Sequence, residues 1–297
     1  MICFAQKEYK SFAERLIKGT KIETGNFSIN RFPNKELYIL VNSKVQNIDC
    51  LVVGTLAPPD ENLISLILLC HSLKKEGAKK IKLILPYIAY TRQDKAKPAE
   101  SFATALIGDI FKVSGIDEIV TLDVHSPKVS ELFPIPLISL SPVQIFVEQI
   151  KKSHLQDSTL VAPDKNALAR VQEIIKLLNL KDSTAYLDKQ RTLNGVKHLA
   201  FHGEVKSKAI IIDDMLDTGE TLISCSEQLI QAGVKEIVIM VTHGLFTGEK
   251  WKKLWELKVR NIYCLDTVLP LQIKDKRVII LSSIPLLKEE IHEKPRT

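Results

Sequence analysis

Short apolar runs alternate along this chain with longer stretches whose apolar residues recur at helical spacing. The runs Cys50–Gly54, Ile81–Pro86, Ile119–Leu122, Leu160–Ala162, Ala209–Ile212 and Glu236–Val241 have the length of strands. Continuous rather than alternating hydrophobicity is the mark of strands covered on both faces. The order of strand, helix and strand therefore predicts an α/β protein with largely parallel sheets flanked by helices.

One element pair recurs. Leu73-Lys-Lys-Glu-Gly77-Ala-Lys-Lys-Ile81 and Leu229-Ile-Gln-Ala-Gly233-Val-Lys-Glu-Ile237 each read as a helix end, a glycine stop and the start of a strand. Each is preceded by a strand, a loop and a helix of similar length. This predicts two copies of one α/β unit, residues 1–140 and 141–297, joined near Ser139–Pro142.

The copies differ in the turn after the strand. In the second, Ala209-Ile-Ile-Ile-Asp213-Asp214-Met-Leu-Asp217-Thr218-Gly219-Glu220-Thr221-Leu222 runs from an apolar strand through paired acids into an amphipathic helix. Gly219 permits a tight turn, and the amides of a helix start together with the hydroxyls of Thr218 and Thr221 converge on one anionic group. The carboxylates of Asp213, Asp214 and Asp217 are placed to accept hydrogen bonds from vicinal hydroxyls, or to hold a divalent metal bridging to them. The pattern predicts a cradle for a sugar phosphate. The first copy has Gly54-Thr-Leu-Ala-Pro-Pro-Asp-Glu-Asn62 instead, with neither paired acids nor the threonine-glycine turn.

Other polar groups follow strands, where ligands of open α/β sheets gather. Arg92 and Lys95, in Tyr87-Ile-Ala-Tyr90-Thr-Arg92-Gln93-Asp94-Lys95, offer forked and point-charge donors suited to polyphosphate, and Gln93 suits a base edge or a hydroxyl. His125 follows one strand and Asp164 another. The two suit joint ligation of magnesium at a triphosphate, imidazole being the less usual ligand for that hard cation. Asp188-Lys189-Gln190-Arg191 opens a polar, glycine-containing stretch that reads as a mobile loop, its two cations able to close over a reacting phosphate.

Composition narrows the classes. A net charge of +6 suits anionic ligands, but Lys and Arg are dispersed without interleaved aromatics, which argues against nucleic acid. The five cysteines show no paired spacing, so neither a disulfide framework nor a zinc site is indicated. The most apolar helical stretch, Leu63–Cys70, is too short to span a bilayer, and no signal-peptide layout opens the chain. A cytoplasmic protein is expected.

Seven segments in order, Phe32-Pro-Asn34-Lys-Glu36, PYIAYTRQDK, LDVHSP, VAPDK, LDKQR, IIIDDMLDTGETL and VTHGLFTG, resemble those of the ribose-phosphate pyrophosphokinases, along nearly the whole chain. The resemblance implies two tandem phosphoribosyltransferase-like domains and transfer of the β,γ-pyrophosphoryl group of ATP to ribose 5-phosphate. It implies that Asp213, Asp214, Asp217, Thr218, Gly219 and Thr221 hold the sugar phosphate, and that Arg92, Gln93 and Asp94 meet ATP. It places His125 and Asp164 at its Mg2+ and makes Lys189 and Arg191 catalytic. Phe32, Asn34 and Glu36 resemble the segment that reaches adenine across a subunit interface, which implies a homo-oligomer.

The departures carry expectations of their own. Most members of that family have a small residue in place of Glu220 and a glycine in place of Lys35, while Lys165-Asn166 replaces a step that often bears glycine. A carboxylate at position 220 weakens sugar-phosphate binding unless it points away. The Ser-x-Arg-Gly segment and Ser-Val-Ser tail tied to phosphate activation and ADP inhibition are replaced by Ser43-Lys-Val-Gln-Asn47 and by HEKPRT, so that regulatory site is expected to be lacking. Two other readings share the cradle: a phosphoribosyltransferase that consumes phosphoribosyl pyrophosphate, and a synthetase-like regulatory subunit without catalysis.

Overall fold

The computed structural model describes residues 1–180, 184–192, 195–269 and 273–292, the side chains of 188–201 and 292 lying outside the description. The chain forms two units, the first running from Met1 to Leu140 and the second starting at Ser141. The first contains β1 (Ile2–Ala5), α1 (Lys10–Ile17), β2 (Glu23–Thr24), β3 (Phe27–Arg31), β4 (Leu37–Val41), β5 (Cys50–Val53), α2 (Glu61–Lys75), β6 (Ile81–Leu85), α3 (Ala103–Val113), β7 (Glu118–Leu122), α4 (Lys128–Leu132) and β8 (Leu137–Leu140). The second contains α5 (Val143–Lys152), β9 (Thr159–Ala162), α6 (Lys165–Leu178), β10 (Thr184–Thr192), β11 (Gly195–His202), β12 (Lys208–Leu216), α7 (Glu220–Gln231), β13 (Glu236–Gly244), β14 (Val259–Leu265) and β15 (Val278–Leu281).

Among the described residues the first sheet has the order β2-β1-β5-β6-β7-β8 and the second β11-β10-β9-β12-β13-β14-β15. The run β1-β5-β6-β7-β8 is parallel throughout, and so is β9-β12-β13-β14-β15. Each strand expected from its apolar run is present, and the repeat extends to the hydrogen bonds of its helix ends. Gly77 and Gly233 adopt φ of 86° and 94°. Ala78 N–H donates to the Leu73 carbonyl and Val234 N–H to that of Leu229, both at 3.0 Å. This is the six-to-one closure by which a left-handed residue ends a helix.

Each unit also inserts an antiparallel hairpin, between β1 and β5 in the first and between β9 and β12 in the second. In the first unit β3 and β4 pair as a separate two-stranded sheet, Phe27 opposite Val41 and Arg31 opposite Leu37. In the second, β10 pairs with β11 and also extends the main sheet by pairing with β9. The stretch holding Lys189 and Arg191, expected to be a loop, is this hairpin. Lys189 lies opposite His198 and Arg191 opposite Val196, with a register shift between Asp188 and Lys189. Its charges obscured the strand signal, yet charged residues are usual on a strand beyond the covered centre of a sheet.

A last helix, α8 (Ile284–His292), returns to the first unit. Lys288 Nζ donates to the Lys18 carbonyl at 2.8 Å, and Lys82 Nζ lies between the carboxylates of Glu118 at 2.7 Å and Glu290 at 3.9 Å. The second unit is therefore not the uninterrupted stretch 141–297. Its core gathers around the parallel strands, with Ile211, Ile239 and Val241 packed against Leu222, Cys225 and Leu229 of α7. All five cysteines are buried and free. Burial pushes the thiols of Cys3 and Cys264 up to about 12, which keeps them in the unreactive protonated form. Among the described residues no helix is long and apolar enough to cross a membrane.

Candidate active site

The acid-rich turn of the second unit is built by β12 and α7. β12 continues beside β13 as far as Leu216, so Asp213 and Asp214 belong to the strand itself rather than to a loop beyond it. Both are buried, each 8% exposed. Asp214 N–H donates to Asp213 Oδ1 at 2.9 Å. The chain then turns at Gly219, whose φ of 88° lies in the left-handed region. A Cβ there would come within 2.9 Å of the Trp251 Cα, so conformation and close approach both require glycine. Gly219 is also the N-cap of α7 and brings no side-chain acceptor to its first turn. Backbone donors at such a start suit an anion.

The VTHGLFTG segment braces this turn. N–H groups of Leu245 and Phe246 donate to the Leu216 carbonyl at 2.8 and 3.0 Å, and that of Thr247 to the backbone carbonyl of Asp217 at 3.2 Å. Buried His243 contacts Thr267 Oγ1 at 3.0 Å through Nδ1. Glu220, the residue expected to crowd a bound phosphate, is paired with a cation: Lys250 Nζ donates to its Oε1 at 2.7 Å.

Asp164 caps α6, its Oδ1 accepting from Asn166 N–H at 2.9 Å and Ala167 N–H at 3.2 Å. It stands close enough to Asp213 to act on its charge. Burial, then the neighbouring carboxylates of Asp214 and Asp164, hold the Asp213 carboxyl well above the ordinary aspartate range, with Arg170 opposing them. Crowded oxygen donors of one sign favour a hard divalent cation, which relieves their repulsion, and the donor set thus fits such an ion. Among the described residues no group of three or more His, Cys, Asp or Glu forms a preassembled metal site.

Asp164 and His125, expected to share a metal, belong to different units: His125 follows β7 in the first, and Asp164 follows β9 in the second beside Asp213. Arg170 was missed by reading the sequence. It lies in α6 six residues beyond the Asp164 cap, a spacing that does not put the two on one helix face, so nothing local signals it. Lys250 had no local signal, being thirty residues from its partner.

In the first unit, Phe32, Asn34 and Glu36 form the tip of the β3–β4 hairpin. Phe32 N–H donates to Glu36 O at 2.9 Å, Asn34 Oδ1 accepts from Glu36 N–H at 3.2 Å, and the exposed Phe32 ring lies 4.6 Å from that of Tyr38. Arg92, Gln93 and Asp94 lie in the loop after β6, whose shape is held by Thr104 Oγ1 bonding the carbonyls of Tyr90 and Gln93 at 3.1 and 2.8 Å. Tyr90 donates to Asp60, and that bond pushes its phenol up to about 12. The backbone of Lys189 and Arg191 is in β10, while their side chains lie outside the described residues.

Comparison with known proteins settles the family. Residues 1–115 match the N-terminal domain of ribose phosphate pyrophosphokinase, and residues 182–290 the phosphoribosyl synthetase-associated domain. The ribose-phosphate pyrophosphokinase of Haemophilus influenzae is 31% identical over 293 residues, covering 95% of this chain and 92% of that one. The chain belongs to the ribose-phosphate pyrophosphokinase family. The Bacillus caldolyticus enzyme is 29% identical, with 97% and 92% of the two chains covered. The phosphoribosylpyrophosphate synthetase structure from Mycobacterium smegmatis superposes with a TM-score of 0.87 at 25% identity, over 98% of this chain and 97% of that chain.

Against that family pattern, one departure has a visible backbone consequence. Lys35 sits at φ 72°, a left-handed conformation natural to the expected glycine, and its carbonyl accepts from Arg31 Nη1 at 2.5 Å. Lys165 and Asn166 fit ordinary helix geometry in the first turn of α6.

Proposed function

We propose that this member of the family transfers the β,γ-pyrophosphoryl group of ATP to the anomeric hydroxyl of ribose 5-phosphate, giving phosphoribosyl pyrophosphate and AMP. The observation that carries the proposal is the second-unit turn, where β12 carries buried Asp213 and Asp214 toward a helix whose N-cap is left-handed Gly219. The 5-phosphate lies on the first-turn amides with Thr218 and Thr221. Asp213, Asp214 and Asp217 accept hydrogen bonds from the ribose hydroxyls, which turns the anomeric oxygen toward its target.

That oxygen attacks the β-phosphorus, the bond from β-phosphorus to the α-phosphate oxygen breaks, and AMP departs. Such a displacement needs alignment and charge neutralisation rather than covalent help. Arg92, Gln93 and Asp94 position the nucleotide, and Lys189 and Arg191 neutralise charge developing on the transferred group. Mg2+ would supply charge neutralisation to the polyphosphate when bound, and Asp164 and His125, each following a strand of its own unit, are the residues proposed to hold it. Phe32, Asn34 and Glu36 serve an adenine of a neighbouring protomer in a homo-oligomer, and the protein works in the cytoplasm. The phosphate-activated, ADP-inhibited site is lacking in this reading, because Val45 and Gln46 stand where the Ser-x-Arg-Gly pattern has arginine and glycine. The tail residues 293–297, also part of that reading, lie outside the described residues.

Near-complete coverage of the relatives, including the first-unit motifs, supports this reading over a phosphoribosyltransferase, which leaves that half without a role. One incubation tests it. Purified protein with ATP, Mg2+ and ribose 5-phosphate should release AMP and phosphoribosyl pyrophosphate in equal amounts. Turnover only with phosphoribosyl pyrophosphate and a nucleobase would establish the transferase, and no turnover with either would leave the regulatory subunit.

A further inference from the structure

We propose that Lys250 is a positioning residue for the sugar phosphate: it draws the Glu220 carboxylate off the start of α7, so that a helix beginning with an acid still accepts a phosphate. The inference rests on the reading of this turn as the sugar-phosphate cradle and deepens it by naming what sets its affinity.

Glu220 is the first residue of α7 and follows Gly219 directly. A carboxylate in the first turn is attracted to the same backbone amides and helix dipole as an incoming phosphate. Left there, it competes with the phosphate for donors and repels it. Instead, Glu220 Oε1 accepts from Lys250 Nζ at 2.7 Å. The side chains of Lys250 and Glu220 are 57% and 39% exposed, and a pair so open to solvent adds little to stability. Its effect falls on the neighbouring anion site.

Lys250 is held in place by its neighbours. Trp251, 4% exposed, packs over Gly219, donates from Nε1 to the Gly248 carbonyl at 3.1 Å and lies edge-on to Phe246 at 4.9 Å. One turn further, Lys253 Nζ reaches Glu227 of α7 at 2.7 Å. The segment is thus tied across α7 at two points. The packing that demands glycine at 219 also delivers the lysine to 220.

The test is the Michaelis constant for ribose 5-phosphate at saturating ATP and Mg2+, with calorimetric binding of ribose 5-phosphate alone as a second reading. In Lys250→Ala the freed carboxylate should raise both constants roughly three- to tenfold, the repulsion expected of a carboxylate and a phosphate dianion about 6 Å apart in a water-like dielectric. The turnover number should change less than about twofold. Lys250→Arg should behave as the unaltered protein. Adding Glu220→Gln to Lys250→Ala should restore the affinity, and that rescue also answers the concern that the single variant is misfolded. An unchanged constant in Lys250→Ala would overturn the proposal, as would a double variant that keeps the defect, since Lys250 would then act on the phosphate itself. Failure of the cradle reading is distinguishable, because the unaltered chain would then bind no ribose 5-phosphate at all.

Discussion

In the second unit, β12 passes through a left-handed glycine turn into α7, whose N-cap is Gly219 itself. In the first, β5 passes into α2 along the same path, but its turn is satisfied from within. Buried Gln6 accepts from Thr55 N–H at 2.7 Å, and its Nε2 donates to Asn62 O and Ser65 Oγ, both at 2.9 Å. Thr55 Oγ1 accepts from Ala57 N–H, Asn62 Nδ2 returns a bond to Ala57 O, and Pro58 and Pro59 have no N–H to offer. Gln6 Oε1 lies so near Gly54 that a Cβ would be 2.3 Å from it. The first turn is thus tied to its own unit through the Gln6 side chain, which accepts from the loop and donates to α2.

The largest test concerns the cations of the second unit's hairpin. Lys189→Ala or Arg191→Ala should lower the turnover number by a factor of hundreds, about 3–4 kcal/mol of transition-state stabilisation. ATP affinity should change far less. Near-normal turnover would remove β10 from the chemistry and leave the comparison to the turns alone.

Alanine at the two turn glycines separates their roles. Gly219→Ala should weaken ribose 5-phosphate binding by roughly ten- to a hundredfold, since it strains a left-handed residue and pushes on Trp251. Gly54→Ala should lower the melting temperature and leave sugar binding within about twofold, because the added Cβ crowds Gln6 and Leu66 inside the first unit. Equal losses of sugar affinity, measured by calorimetry, would mean that the first turn also meets the substrate.

A smaller loss is expected for Gln6→Ala. Leaving Thr55 N–H buried without its acceptor should cost about 1–3 kcal/mol in urea unfolding. The smallest effect concerns inorganic phosphate, which at fixed free Mg2+ should change the rate less than about twofold. Strong saturable activation would restore a regulatory site of different residues.

Much of this was legible along the chain. The strands Cys50–Val53, Ile81–Leu85 and Glu236–Gly244 show as apolar runs because parallel strands are covered on both faces. The glycines at 77 and 233 reveal the repeat because left-handed helix ends admit few other residues. The β10–β11 hairpin was read as a loop because its charges mask a strand pattern that backbone pairing satisfies without an apolar face. Lys35 by its residue type hides its left-handed backbone, which only the glycine of the family pattern at that position signals.

Local sequence determined the elements and the chemistry of the turn, since strand burial, helix ends and the run from Asp213 to Thr221 depend on residues within a few positions of one another. Tertiary structure decided how each turn's charges and donors are spent. It set Asp164 beside Asp213, gave Thr55 to Gln6, brought α8 back to the first unit and placed Lys250 on Glu220. Those pairings join residues tens to hundreds of positions apart, and packing of the sheets brings them within reach; no local preference of the chain encodes that meeting.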